Sequence, residues 1–269
     1  PLLSALIDGC ITNGLDATAG GARYNSSGSS NIGLADVTDS LMAVKTLVFD
    51  EGKVSFADLK KAIDTDFRDA PALRALVQRK VSLFGSGDPA ALDMARRVAG
   101  IVHDAYASRR NYRGGPYTSG FWSMSQHVAY GTLSGTLPSG RLSGKAFTPG
   151  LTPQPSASPS FLDNIRDVAR LDPSCMDNNI AFNVKLVPAA GESRRDIVSA
   201  MRNYVKTYFD LGGMQLQINV IDQETLRKAC AKPEEYPDLI VRIGGYSEYF
   251  LRLSPELRRS VLERTEHRL

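Results

Sequence analysis

An apolar run near the C-terminus, Leu239-Ile240-Val241-Arg242-Ile243, ends abruptly in Gly244-Gly245-Tyr246-Ser247. Branched and apolar residues bounded by glycine predict a strand that runs into a turn. Glycine serves where the backbone needs a positive φ or where another group must approach closely, and a plain turn satisfies this pattern. A chemical property adds a second reading. Glycine alone has an α-carbon that can lose a hydrogen atom and become planar with no side chain in the way. The radical so formed is shared between the amide nitrogen on one side and the carbonyl on the other.

The strand is one of several. Leu2, Leu3, Leu6, Ile7 and Cys10 form an apolar stripe that predicts a helix over 1–14, stopped by Gly14. Residues 16–35, rich in Gly, Ser and Asn, read as a loop. Val37, Leu41, Val44 and Val48 predict a helix over about 36–49, with Asp36 as its N-cap. Ser55 with Asp58 forms a variant capping box, worth about 1 kcal/mol, and Asp88-Pro89 starts a further helix. Beyond residue 160 the periodicity alternates. Helices are expected at about 160–171, 193–210 and 223–231, strands at 180–187, 214–221 and 238–243, and a last helix from Ser254-Pro255. Strands separated by helices imply parallel pairing and an α/β fold.

Residues 111–160 differ in character. Gly, Pro and Ser dominate between Asn111 and Gly120 and again between Gly131 and Pro159. Between them Phe121-Trp122-Ser123-Met124-Ser125-Gln126-His127-Val128 reads as an aromatic strand. The stretch 131–160 is either a flexible linker or an ordered irregular segment anchored by Leu133, Leu137, Leu142, Phe147 and Leu151. The latter is the expectation.

Composition narrows the function classes. The chain has 269 residues, 42% of them hydrophobic and 23% charged, with a net charge of +3. No basic run suggests a nucleic-acid footprint, and no apolar run approaches the length of a membrane span. Cys10, Cys175 and Cys230 lie far apart without metal-ligand spacing, an odd and sparse set that suits a reducing cytosol. His103, His127 and His267 show no zinc spacing, so no metal site is expected. A nucleophile elbow and a P-loop are both missing.

Five segments carry a resemblance. Val241-Arg242-Ile243-Gly244-Gly245-Tyr246 resembles the Arg-Val-x-Gly-Tyr radical-site signature of the glycyl radical enzymes, the pyruvate formate-lyase family, with Ile243 in place of valine. Ala19-Gly20-Gly21-Ala22-Arg23-Tyr24-Asn25, Pro138-Ser139-Gly140-Arg141, the stretch Tyr208 to Gln217 and Arg264-Thr265-Glu266-His267 are similar to further elements of that family, in family order. Ser139 stands where an aspartate is usual. Tyr246-Ser247 and the Arg264–His267 ending look closer to the dehydratase and lyase branch.

The resemblance implies the C-terminal half of a ten-stranded α/β barrel with the glycine loop inside it. Residues 1–135 would belong to the pyruvate formate-lyase-like domain and 136–269 to the glycine radical domain. It implies that Gly245 stores a radical, installed by a separate S-adenosylmethionine and iron–sulfur activating enzyme, with no bound cofactor. The apolar neighbours Ile240, Ile243, Tyr246 and Phe250 would wall Gly245 off from oxygen. The segment 237–269 would swing out to meet the activating enzyme, hinged at Lys232-Pro233 and Glu248–Ser254. The family's thiyl cysteine loop has no counterpart in this sequence. The expected partners are therefore an N-terminal portion or subunit bearing that cysteine, a small-molecule substrate and further copies in an oligomer, all in the cytoplasm. A rival reading is a spare radical domain that docks onto a damaged enzyme.

For the substrate wall the resemblance points to Phe121–Gln126. Strand alternation would put Trp122, Met124 and Gln126 on one face, although a lone tryptophan is also an ordinary core residue. Asn178 and Asn179 could bind substrate polar groups or cap a turn. Arg23, Tyr24 and Asn25 are expected to organise a loop near the site. His127 is either a substrate donor or a structural histidine.

Overall fold

The computed structural model describes residues 1–158, 160–188 and 191–268. Pro159 and Leu269, which fall within the predicted irregular segment and the predicted C-terminal domain, lie outside the described residues. In chain order the elements are α1 (Leu2–Ala5), α2 (Cys10–Asn13), β1 (Ser27–Asn31), α3 (Leu34–Val44), α4 (Phe56–Asp64), α5 (Pro71–Lys80), α6 (Pro89–Ala107), β2 (Tyr117–Phe121), α7 (Gln126–Leu133), α8 (Phe161–Ala169), β3 (Asn183–Val187), α9 (Arg194–Asp210), β4 (Gln217–Asn219), α10 (Gln223–Ala231), β5 (Ile240–Arg242), β6 (Ser247–Tyr249), α11 (Pro255–Glu263) and β7 (Glu266–Arg268).

Strand pairing is parallel wherever a helix intervenes. β1 pairs with β2 from Ser27↔Tyr117 to Asn31↔Phe121. β3 lies between β4 and β7, with Lys185 opposite both Asn219 and Glu266. The segment 178–187 joins the two groups. Phe121 N–H donates to Asn179 O at 2.7 Å and Asn178 N–H to Ser119 O at 3.0 Å, so its first residues lie along β2. β5 and β6 depart from this rule and form an antiparallel hairpin, Ile240↔Tyr249 to Arg242↔Ser247.

The main core gathers Leu34, Phe84, Phe121, Ile165, Phe182 and Tyr208 from the α/β body. A separate core serves the C-terminal hairpin and its helices: Leu226, Val241, Ile243, Phe250, Leu253 and Val261. Along β5 the burial alternates with period two, Val241 and Ile243 turned inward and Ile240 and Arg242 outward.

Several local expectations are corrected. The predicted 1–14 helix is two short pieces interrupted at Gly9 (φ 97°), and Leu2, Leu3 and Leu6 are exposed while Cys10 is buried. Asp36 is not a cap, because α3 is preceded by Gly33 and begins at Leu34. Its buried carboxylate instead accepts from Thr148 N–H (2.8 Å), Thr148 Oγ1 (2.7 Å) and Gln154 Nε2 (2.8 Å), and burial pushes its pKa up. The end of the predicted 36–49 helix is a π-helical turn, Lys45–Asp50.

The segment 131–158 is ordered, and its anchors are largely polar. Arg141 donates to the carbonyls of Gly131, Gly135 and Lys145 and stacks on Phe147 at 4.3 Å. Leu151 is buried, whereas Leu133 is exposed.

Phe250 is fully buried in the C-terminal core. Phe250→Ala is expected to cost about 3–5 kcal/mol, the range for emptying a packed aromatic site. Chemical denaturation of the two proteins side by side measures it.

Candidate functional site

The predicted signature folds as the tip of the β5–β6 hairpin. Ile243 N–H donates to Tyr246 O at 3.0 Å, leaving Gly244 and Gly245 as a two-residue turn. Gly245 has φ +103°, a conformation that side chains rarely adopt. A Cβ at Gly245 would stand 2.1 Å from Trp122 Nε1, and one at Gly244 would stand 2.9 Å from the Met124 carbonyl oxygen. Conformation and space therefore both demand glycine at Gly245.

Three side chains grip the hairpin backbone. Asn219 Oδ1 accepts from Arg242 N–H (2.7 Å) while its Nδ2 donates to Arg242 O (3.0 Å). Arg264 donates to Arg242 O (2.9 Å) and to Ile243 O (2.6 Å). Gln217 Oε1 accepts from Gly245 N–H (3.1 Å). Gln217 and Asn219 share one face of β4 because they are two residues apart, and all three gripping residues are buried. Burial lowers the Arg264 pKa to about 10, so it stays cationic at neutral pH.

Below the tip His127 links two helices. Its Nδ1 lies 3.2 Å from Ser123 Oγ and its Nε2 3.1 Å from Ser260 Oγ on α11. The ring is fully buried. Desolvation, followed by the charge of Arg264, pulls its pKa from 6.5 to about 3, so it is neutral at pH 7. Of the two roles open to it, this placement favours the structural one.

The predicted substrate residues are placed by a turn and not by a strand. β2 stops at Phe121, residues 122–125 turn with Met124 at φ +44°, and Gln126 opens α7. Close packing of Gly244 on the Met124 backbone accompanies this break. Trp122 is half-buried against Gly245, while Met124 and Gln126 are exposed. Gly245 is itself exposed to solvent. Of the expected wall, Ile243 and Phe250 are fully buried, Tyr246 is half-buried and Ile240 is 55% exposed. A cavity of about 240 Å³ lies elsewhere, lined by Asp39, Arg141, Asn183 and Arg264 among others, and none of Trp122, Met124, Gln126 or Gly245 lines it.

The remaining candidates do not meet at the tip. Asn178 Nδ2 donates to Ser29 O (3.2 Å) and Asn179 Nδ2 to Ser30 Oγ (3.2 Å), which stitches their segment to β1. Asn25 donates to Gly20 O and Ala22 O, Arg23 pairs with Asp8, and Tyr24 is exposed. The predicted hinge 248–254 includes the last two residues of β6 and the buried Phe250 and Leu253. Cys175 has its thiol pushed up by burial and by neighbouring Asp172, which disfavours the thiolate. Among the described residues no group of three or more His, Cys, Asp and Glu is arranged to hold a metal ion, and no helix is long and apolar enough to cross a membrane.

Known proteins resemble the whole described arrangement. A family model of pyruvate formate lyase-like proteins matches residues 1–131, and a glycine radical model matches residues 147–251. Trans-4-hydroxy-L-proline dehydratase of Clostridioides difficile is 32% identical over 99% of this chain and 34% of its own length. (2S)-3-sulfopropanediol dehydratase of Klebsiella oxytoca is 30% identical over 99% of this chain and 33% of its own length. The solved B12-independent glycerol dehydratase of Clostridium butyricum superposes with a TM-score of 0.93 at 34% identity, covering 99% of this chain and 34% of that one. The chain thus spans about a third of the length of the relatives it matches.

The buried neutral His127 makes stability depend on pH. The unfolded chain takes up the proton near pH 6.5 and the folded chain only near 3, so this contribution is complete above about 6.5 and is lost as pH falls toward 3. The slope approaches about 1.4 kcal/mol per pH unit at most. Denaturation midpoints measured from pH 7 to 4 should fall for the wild type, and His127→Gln should flatten that part of the decline.

Proposed function

Because the chain belongs to the glycyl radical enzyme family, the pyruvate formate-lyase family, we propose that Gly245 stores the radical of such an enzyme. One hydrogen atom leaves the Gly245 α-carbon and one unpaired electron remains there. A cysteine of the N-terminal portion later returns a hydrogen atom to Gly245, and the resulting thiyl abstracts hydrogen from the substrate. The observation that carries this reading is the tip itself: a glycine in the signature position, at φ +103°, with its α-carbon pressed on Trp122 and its amide held by Gln217.

In this reading the parallel strands are half of a ten-stranded barrel, divided near residue 135 into a pyruvate formate-lyase-like part and a glycine radical part. The open side of Gly245 is then the side that the N-terminal portion covers, which supplies the dry surroundings a stored radical needs. Trp122, packed on Gly245, and the exposed Met124 and Gln126 that follow it would line the substrate space. An S-adenosylmethionine and iron–sulfur activating enzyme removes the hydrogen, and the assembly works in the cytoplasm as an oligomer. The relatives' names span dehydratases, a decarboxylase and sulfite-lyases. A lyase of the dehydratase branch is the reaction class proposed here, inactive without the cysteine-bearing portion. The match to full-length relatives over 99% of the chain favours an enzyme portion over a short spare radical domain.

Electron paramagnetic resonance after anaerobic activation tests the proposal. The expected spectrum is a doublet from the single α-hydrogen left on Gly245, absent in Gly245→Ala. A wild type without a doublet, or a doublet that survives Gly245→Ala, contradicts it.

A further inference from the structure

We propose that Gln217 is a positioning residue for the radical carbon, its Oε1 setting how much unpaired spin reaches the Gly245 amide nitrogen. The inference rests on Gly245 as the storage site and concerns what tunes it. Asn219 and Arg264 hold Arg242 and Ile243, all on the β5 side of the tip. Gln217 alone of the three reaches into the turn itself, to the Gly245 N–H. Gln217 is 8% exposed, so at its end of the bond water competes poorly.

Loss of the hydrogen atom makes the α-carbon planar, and the unpaired electron occupies the orbital perpendicular to the plane of N, Cα and C. Delocalisation onto nitrogen requires the amide plane to turn into that plane, which the N–Cα torsion controls. At φ +103° the amide stands nearly perpendicular to it. The sharing onto nitrogen is therefore weakened unless the amide rotates, and rotation swings the N–H away from Gln217 Oε1. Holding that bond limits the spin shared onto nitrogen, leaving a less delocalised radical and a more ready acceptor of a hydrogen atom.

The experiment uses the complete enzyme labelled with ¹⁵N-glycine. Pulsed electron paramagnetic resonance of the activated wild type should show a small ¹⁵N coupling. Gln217→Leu should raise that coupling at least twofold and narrow the α-proton doublet, while Gln217→Glu, which keeps an acceptor, should stay near the wild type. Gln217→Leu with couplings equal to the wild type overturns the inference and leaves radical storage on Gly245 intact. The loss of the doublet from every protein, wild type included, would instead overturn the storage reading. A second measurement needs no radical: amide exchange at Gly245 in the resting protein should be at least tenfold faster in Gln217→Leu, with the Ile243 amide unchanged. Equal Gly245 exchange in the two proteins also overturns the inference.

Discussion

The grip of Asn219 and Arg264 on the Arg242–Ile243 backbone fixes where the hairpin tip can be. Asn219 satisfies both the N–H and the C=O of Arg242, and Arg264 adds two charged donors to successive carbonyls. Such charge-assisted bonds, made in a buried setting, hold backbone more firmly than neutral surface ones. With β5 held in this way, Gly244 rests on the Met124 carbonyl and Gly245 on the Trp122 indole, so the tip is locked to the body. Removing a gripping partner leaves buried backbone groups without hydrogen bonds, which costs more than the bond itself contributes.

The same contacts couple distant parts of the chain. β4 supplies Gln217 and Asn219, the residue after α11 supplies Arg264, and the turn after β2 supplies Trp122 and Met124. His127 connects that turn to α11 through Ser123 and Ser260. Three regions of sequence thus converge on one two-residue turn, in which Gly244 is buried and Gly245 exposed. The chain, which spans about a third of its relatives' length, thus holds this glycine from one face through its own side chains.

Local signals in the sequence were the most legible. Ser55, Asp88 with Pro89, and Ser254 with Pro255 all cap helices as expected, because each cap acts within about four residues. The helix over 223–231 and the parallel pairing of β3 with β4 follow from periodicity in the same way. Long-range requirements were not legible. Asp36 looks like a cap until its carboxylate is seen to bind Thr148 and Gln154. Residues 121–128 alternate like a strand, but the packing of Gly244 on Met124 goes with a turn there. Gln217 and Asn219 left a faint signal: polar residues alternating with Leu216 and Ile218 need partners somewhere. Nothing local says that the partners are the glycine backbone.

Oxygen reports where a stored radical sits, since it cleaves a chain at the carbon that carries the unpaired electron. Activated enzyme should be exposed to air and the products weighed by mass spectrometry. The expected product is a break at Gly245, separating residues before it from those beginning near Tyr246, with none in unactivated protein. Chains that survive air intact after activation, or that break at any other residue, would contradict storage on Gly245.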